Sequence, residues 1–200
     1  EAYQRTRQVL VLTMTSLGSG AYQAACVARD MAAEELPGIE ITVIDTRQVA
    51  MAHGWAVLLA ARAANAGAAL ARVVAIARET AEKAMMLQTA DTLRYLYLGG
   101  RIGRAQHLVG ALLNIKPLIS MQEGVIVALG QARSRAGIYD KMVEIVGKYV
   151  PRGSKIRVAY MHAAAAEQVA ELRRRVEPLF DCVETLITEL SPALGVHTGP

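Results

Sequence analysis

The chain has 200 residues and is poor in cysteine, in aromatic residues and in long apolar runs. Its two cysteines, Cys26 and Cys182, cannot build a disulfide framework or a cysteine-rich zinc site, which makes the reducing cytoplasm the expected location. Aromatic residues make up 4%, which argues against base-stacking platforms for single-stranded nucleic acid. No apolar run approaches the ~18 residues that a membrane-spanning helix needs. We therefore expect no stable membrane insertion.

Apolar residues are abundant, and charge of either sign is dispersed. Hydrophobic residues make up 53% and charged residues 20%, so the chain can bury a substantial core, which excludes intrinsic disorder. The net charge is +4, and the densest basic run, Arg173-Arg174-Arg175, falls late in a predicted helix, where cations favour the helix dipole. A nucleic-acid surface needs basic residues gathered on one face. We predict no nucleic-acid partner.

The first 83 residues alternate between predicted strands and helices. Apolar β-branched runs predict strands at residues 9–13 and 39–45, and helical spacing predicts helices at 21–35, 54–65 and 68–83. On the first helix this spacing places Ala24, Ala25, Ala28 and Met31 on one side. The alternation predicts parallel βαβ packing, because crossover helices cover such a sheet.

From residue 84 the pattern changes to hairpins mixed with helices. Strands are predicted at 84–88, 118–121, 125–133, 156–161, 183–187 and 193–196, and helices at 91–98, 103–113, 139–148 and 165–176. The turn Gln122-Glu123-Gly124 is a three-residue hairpin signal. The fold class is therefore α/β, with a parallel lobe over residues 1–83 that is incomplete at its N-terminus. A second α/β lobe with a hairpin and a mixed sheet follows over residues 84–200.

Two glycine-containing segments are candidates for an anion site. Ser19 and Gly20 lie between a predicted strand and a helix, where the helix N-terminus attracts an anion; the commoner use of such a serine is to cap the helix. In Gly99-Gly100-Arg101 the glycines free the backbone, and Arg101 can bind a carboxylate or phosphate through two nitrogens. The alternative is a glycine helix stop followed by an exposed arginine.

Two further segments carry basic side chains. Arg133 and Arg135 alternate at a predicted strand end and would share one face, either as a doubly charged anion site or as a solvated strand end. His197 is expected on an accessible turn after a short strand, where it suits proton transfer or anion binding. Ordinary structural roles suffice for the other histidines, His53, His107 and His162.

Standard catalytic constellations are missing from the sequence. Paired acidic residues, a nucleophile elbow, metal-spaced histidines and a dinucleotide Gly-x-Gly-x-x-Gly are all absent. We therefore predict no catalytic residue, no metal and no cofactor. An anion site beside much apolar surface matches a carboxylate with a hydrophobic tail.

Five sequence blocks occur together in order. They are Ser-Leu-Gly-Ser-Gly-Ala-Tyr-Gln-Ala-Ala at 16–25, Val43-Ile44-Asp45, Leu-Arg-Tyr-Leu-Tyr-Leu-Gly-Gly-Arg-Ile at 93–102, Leu-Leu-Asn-Ile-Lys-Pro at 112–117, and His-Thr-Gly-Pro at 197–200. On these blocks the chain resembles the DegV family of fatty-acid-binding proteins over residues 8–200. The resemblance implies two unlike α/β domains, an acyl chain such as palmitate, stearate or oleate in an apolar tunnel, and the carboxylate near the domain junction.

The resemblance also implies a partner and residue roles. A separate ATP-binding kinase subunit, similar to dihydroxyacetone kinases, would phosphorylate the bound carboxylate, so the chain is not expected to be an enzyme by itself. Ser19, with Gly20, and His197 would bind the carboxylate, and Arg101 and Arg133 would serve phosphate transfer or partner docking. The alternatives are a stand-alone small-molecule phosphotransferase that uses Arg101, Arg133 and His197, and a structural or regulatory module without a ligand.

The sequence departs from the family pattern at both ends. An acidic strand end and a Thr-Ser-x-Pro-Ser loop, whose threonine also holds the carboxylate, usually come earlier and are not found here. A glycine and a final strand normally follow the terminal His-Thr-Gly-Pro. We expect the chain to be the later part of something longer.

Overall fold

A computed structural model describes residues 6–108 and 115–199. In these residues the strands are β1 (Gln8–Thr13), β2 (Glu40–Asp45), β3 (Leu87–Thr89), β4 (Lys116–Gln122), β5 (Val125–Ala132), β6 (Lys155–His162) and β7 (Asp181–Glu189). The α-helices are α1 (Ala21–Glu35), α2 (Ala50–Asn65), α3 (Leu70–Lys83), α4 (Arg94–Leu98), α5 (Arg135–Tyr149), α6 (Ala166–Val176) and α7 (Pro192–Thr198). Short 3-10 helices cover Gly103–Leu108 and Glu177–Leu179.

The chain forms two compact units. The first comprises Glu1–Met86 with Met121–Val125, and the second comprises Leu87–Ser120 with Ile126–Pro200. The division into lobes at residue 83 stays a prediction of domain organisation. The segment that returns to the first unit is the tip of the β4–β5 hairpin.

In the first unit, β1 and β2 pair in parallel, from Gln8 opposite Glu40 to Thr13 opposite Asp45. Their valines, leucines and isoleucines suit a pleated, half-buried surface. α2 and α3 pack together, and their buried side chains join those of the strands in one core. That core is Ile44, Ala60, Val73 and Ala77, with Leu10, Leu12, Ala63, Ala68 and Val74 packed around it. The parallel lobe therefore forms as predicted.

Helix α1 buries none of its residues fully. Of the four residues predicted on one side, Ala25 is half-buried, whereas Ala24, Ala28 and Met31 are exposed. The half-buried side instead includes Tyr22 and Cys26. The helical spacing is correct, but most of this apolar stripe faces away from the core.

The second unit contains strands of both senses. β3, β4 and β5 form one sheet, in which β3 and β4 run antiparallel with Leu87 opposite Ser120. β6 and β7 form a separate parallel pair. The core under α5 contains Leu118, Ile138, Tyr139 and Met142.

The predicted strand at residues 193–196 is wrong, because this segment is helix α7. Pro192 occupies the start of the helix, where its missing N–H removes no internal bond, and Gly199, with φ of 72°, follows the last helical residue. A short apolar run does not separate strand from helix by periodicity alone. His197 consequently lies in the last turn of a helix and not on a turn after a strand.

The predicted extension of β5 to Arg133 is also wrong. β5 ends at Ala132, and the Ser134 side chain accepts a hydrogen bond from the Gly137 N–H to cap α5, which begins at Arg135. Arg133 and Arg135 therefore do not alternate along a strand.

Other boundaries shift by a few residues. α2 begins at Ala50 and not at residue 54, and β3 is shorter than the strand predicted at 84–88. The predicted helix at 103–113 is a 3-10 helix over Gly103–Leu108, and residues 109–114 lie outside the described part of the chain, as does the first half of the block at 112–117. None of the helices in the described ranges has the length and apolarity to cross a bilayer.

The hairpin tip is fastened to the first unit by one buried threonine. The Thr15 hydroxyl donates to the Gly124 carbonyl at 2.7 Å, and Thr15 is 2% exposed. Gly124 has φ of +82°, and a Cβ there would lie 2.7 Å from Thr15 Oγ1. Glycine therefore meets both the backbone conformation and the close approach.

We predict that Thr15→Val destabilises the first unit by about 1–3 kcal/mol, because it leaves the buried Gly124 carbonyl without its donor while keeping the side-chain shape. Urea unfolding followed by fluorescence of the single tryptophan, Trp55 on α2, measures the loss. Thr185→Val on β7, which removes no side-chain hydrogen bond to a described residue, is the control. Equal midpoints for the two variants would contradict the role of this hydrogen bond.

Candidate functional site

The loop between β1 and α1 presents Ser19 at a helix N-terminus. The N–H groups of Gly18 and Ser19 both donate to the Thr15 carbonyl, at 3.2 and 3.1 Å, which folds the loop tightly. The Ser19 hydroxyl oxygen accepts from the Ala21 N–H at 3.2 Å. No described residue accepts the hydroxyl proton, so Ser19 can support the helix start and still donate to a ligand.

The surroundings of Ser19 favour an anion. α1 carries no acidic residue in its first turn, so its N-terminal N–H groups and dipole are not neutralised by its own side chains. Gly20 is exposed, and the space where a Cβ would project is open. A ligand can therefore reach the backbone at this position.

The loop after β2 is tied to the loop after β1 at the same sheet end. Asp45 accepts from the Ser16 N–H at 3.2 Å and from the Arg47 N–H at 2.8 Å. The Thr15 N–H donates to the Gln48 carbonyl at 3.0 Å. Ligands of parallel sheets sit outside the carboxyl ends of the strands, which is where these loops lie.

A threonine–histidine pair that the sequence pattern does not predict lies at this sheet end. Thr46 Oγ1 donates to the Thr13 carbonyl at 2.9 Å and lies 3.0 Å from His53 Nδ1. Burial lowers the pKa of His53, which favours the neutral ring. The available signal was a threonine directly after a buried strand, seven residues ahead of a histidine.

Each unit has a cavity lined by described residues. One, of about 250 Å³, lies in the first unit between the β2–α2 loop, the end of α3 and the hairpin tip, and is lined by Thr46, Arg47, Gln48, Ala81, Glu82, Ala84, Met121 and Glu123. The other, of about 260 Å³, lies beside α6 and is lined by Ala170, Arg173, Arg174, Glu177 and Pro178. The first lining is more polar than apolar, whereas the second is mainly apolar, although Arg173, Arg174 and Glu177 contribute to it. The apolar tunnel stays a prediction.

In the second unit, α4 ends in a glycine stop that exposes Arg101. The Gly100 N–H donates to the Tyr97 carbonyl at 3.0 Å and the Arg101 N–H to the Leu96 carbonyl at 2.9 Å, with Gly100 at φ of +69°. This is the Schellman pattern, so Gly100 has the helix-stop role that was the alternative interpretation. Arg101 Nη1 donates to the Gly99 carbonyl at 2.6 Å. The remaining guanidinium N–H groups have no acceptor among the described residues and can donate to an anion.

Two predicted residues meet at Gly99. His197 Nδ1 lies 2.6 Å from the point where a Gly99 Cβ would be, and Arg101 binds the Gly99 carbonyl. His197 is half-buried, and its Nδ1 atom is buried without a hydrogen-bond partner among the described residues. The imidazole of His197 and the guanidinium of Arg101 therefore flank the same glycine.

The arginines at the end of β5 do not form the predicted pair. Arg135 Nη2 contacts both oxygens of Asp91, at 2.8 and 2.9 Å, and Lys116 Nζ contacts the same carboxylate at 2.6 Å. The hydrogen bond from Lys116, together with the charge of Arg135, lowers the pKa of Asp91. Arg135 is thus engaged in an ion pair, whereas Arg133 is exposed.

The predicted site residues are divided between the units. Ser19 and Gly20 belong to the first unit, and Arg101, Arg133 and His197 to the second. Among the described residues no group of three or more histidine, cysteine, aspartate or glutamate side chains is placed to hold a metal ion.

We predict that the first unit loses stability as the pH falls below about 6.5, the ordinary histidine pKa. Burial lowers the pKa of His53 in the folded state, so the unfolded chain binds more protons in this range and stability rises with pH. Urea unfolding followed by Trp55 fluorescence between pH 5.5 and 8 measures how the free energy of unfolding changes with pH. His53→Gln should flatten this dependence, whereas the same dependence in His53→Gln and wild type would contradict the assignment. His107→Gln, at an exposed position, is the control.

The model of the DegV family matches residues 1–200 of the chain. A DegV domain-containing protein of Clostridium perfringens is 31% identical over 191 residues, which cover 96% of this chain and 67% of that protein. Another, of Streptomyces coelicolor, is 32% identical over 206 residues, which cover 100% of this chain and 71% of the relative.

Solved structures of two fatty-acid- or lipid-binding proteins share the fold. A fatty-acid-binding DegV family protein from Thermus thermophilus superposes with a TM-score of 0.88 at 32% identity, covering 100% of this chain and 70% of that one. A DegV lipid-binding protein from Thermotoga maritima gives a TM-score of 0.86 at 26% identity, covering 100% of this chain and 68% of that one. The chain belongs to the DegV family and has the mixed α/β fold of its members.

Proposed function

We propose that the chain binds a long-chain fatty acid and presents its carboxylate to a separate ATP-binding kinase subunit for acyl-phosphate formation. Ser19, Gly20 and His197 would bind the carboxylate, and Arg101 and Arg133 would serve phosphate transfer or docking of the kinase. The observation that carries the proposal is the Ser19 hydroxyl proton, free of any described acceptor at the N-terminus of α1. The fatty-acid binding of the 32%-identical Thermus thermophilus relative supports the ligand class.

The chemistry of the groups matches a carboxylate. Each carboxylate oxygen accepts hydrogen bonds, and bonds to a charged acceptor are about twice as strong as neutral ones. The Ser19 hydroxyl and an imidazole N–H of His197 are donors of this kind. Burial of an acyl chain contributes about 0.8 kcal/mol per CH₂. The acyl tail then supplies the affinity, and the polar groups determine the position of the carboxylate.

The arginines suit the transfer step assigned to the partner. Phosphoryl transfer spreads negative charge over the transferred oxygens, and cations that are already in place stabilise it. Arg101 is exposed and has one guanidinium nitrogen anchored on the Gly99 carbonyl, and Arg133 is exposed at the end of β5. Both would act on a phosphate brought by the kinase subunit, so we propose no catalysis by the chain alone.

We predict that freshly purified protein carries a long-chain fatty acid, seen by native mass spectrometry as a mass increment that organic extraction removes. Ser19→Ala should weaken palmitate binding by roughly 10–150-fold, the loss of one hydrogen bond to a charged group. Ser16→Ala is the matched control, because it removes an exposed hydroxyl from the same loop. Natively folded, delipidated protein that binds neither palmitate nor oleate would overturn the proposal.

We predict that Arg101→Ala and Arg133→Ala leave palmitate binding intact but each lower acyl-phosphate formation at least tenfold. The assay contains ATP, palmitate-loaded protein and a kinase subunit of the dihydroxyacetone kinase type, and the reason for the loss is missing charge stabilisation in the transfer. Arg152→Ala, at an exposed arginine in the turn before β6, is the control. Phosphoryl transfer by the chain without the kinase would instead support a stand-alone phosphotransferase.

A further inference from the structure

The C-terminal ends of α4 and α7 pack against each other at two glycines. Gly99, just after α4, admits the imidazole of His197, and Gly199, just after α7, admits the ring of Tyr95 on α4. A Cβ on Gly99 would lie 2.6 Å from His197 Nδ1, and a Cβ on Gly199 would overlap the Tyr95 ring. Each helix therefore supplies one ring and receives one, and a side chain at either glycine would force its ring to move.

The backbone conformation at residue 99 does not require glycine. Its φ of −75° and ψ of −4° lie in the right-handed helical region that any residue adopts, unlike those of Gly100, at φ of +69°. What Gly99 provides is space, because the atom nearest to its absent Cβ belongs to His197. The Tyr95 carbonyl, 3.1 Å from the same point, is the next neighbour.

The contact also determines which imidazole nitrogen carries the proton. Nδ1 of His197 is buried against Gly99 and has no hydrogen-bond partner among the described residues. A proton on Nδ1 would be a buried donor without an acceptor, which folded proteins avoid more strictly than an unpaired acceptor. The proton therefore belongs on Nε2, and Nδ1 faces the side of Gly99 on which a Cβ would stand.

We propose that Gly99 is a positioning residue that turns the His197 imidazole so that Nε2–H is its only outward donor. A ligand oxygen can then accept a hydrogen bond from Nε2–H but not from Nδ1. The same residue anchors Arg101 through its carbonyl, so one glycine places both an imidazole and a guanidinium. The carboxylate as the ligand of Nε2–H rests on the proposed function, whereas the Gly99–His197 coupling does not.

The coupling is tested without lipid by comparing Gly99→Ala in two backgrounds. With His197 present, the new methyl group collides with the ring and should lower the urea midpoint of the second unit. In the His197→Ala background the methyl group meets no ring, so Gly99→Ala should lower the urea midpoint by clearly less. Gly147→Ala, where a Cβ meets nothing within 4 Å, is the control. An equal loss in both backgrounds would assign the effect to the Tyr95 carbonyl and overturn the proposal.

The tautomer is read directly from wild-type protein. Long-range proton–nitrogen spectra of ¹⁵N-histidine-labelled, delipidated protein should show His197 protonated at Nε2, the signal being assigned by its absence in His197→Ala. An Nδ1-protonated ring would overturn the proposal. This measurement needs no folded Gly99→Ala variant.

Palmitate titration adds the functional readout. Gly99→Ala should weaken binding at least fivefold with His197 present and less than twofold in the His197→Ala background, because the two changes remove the same donor. Equal weakening in both backgrounds would overturn the positioning role. Failure of wild-type protein to bind palmitate would reject the proposed function, while the unfolding and tautomer measurements would still decide the role of Gly99.

Discussion

The in-register parallel pairing of β1 with β2 is the constraint on which the rest of the first unit depends. It ends both strands at the same edge, so that the loop with Ser19 and the loop with Thr46 emerge side by side. Backbone donors then bind groups of the neighbouring loop, as Thr15 does with Gln48 and Ser16 with Asp45. A shift of one residue in register would turn the apolar side chains of one strand away from the core.

In the second unit the candidate groups are positioned differently, by close packing of rings against glycines. At Gly99 and Gly199 the missing Cβ atoms let rings approach the backbone more closely than any other residue would allow. Hydrogen bonds arrange the first unit at its sheet end, and steric fit arranges α4 and α7. The two kinds of support also differ in what disturbs them, because a loop hydrogen bond is sensitive to water and a packed ring to added volume.

Sequence patterns predicted the elements whose signal is local. β1, α1, β2 and the β4–β5 hairpin follow from apolar periodicity and turn residues, and Ser19 from its place before a helix. The start of α2 could not be predicted, because Ala50 has φ of 52° and no side chain caps the helix. Residues 193–196 were ambiguous, and the partners of His53 and His197 are tertiary contacts that spacing along the chain does not contain.

The returning hairpin imposes an order on how the chain acquires its structure during synthesis. The hydrogen bond from Thr15 to Gly124 joins residues 109 positions apart, across a long stretch that belongs to the second unit. On the ribosome, the first unit therefore stays incomplete until residue 125 has emerged, although most of its chain is made well before. Contacts so distant in sequence close slowly, since the loop entropy is lost before they form. The N-terminal part of the first unit can thus complete its contacts only after residues 121–125 have been synthesised.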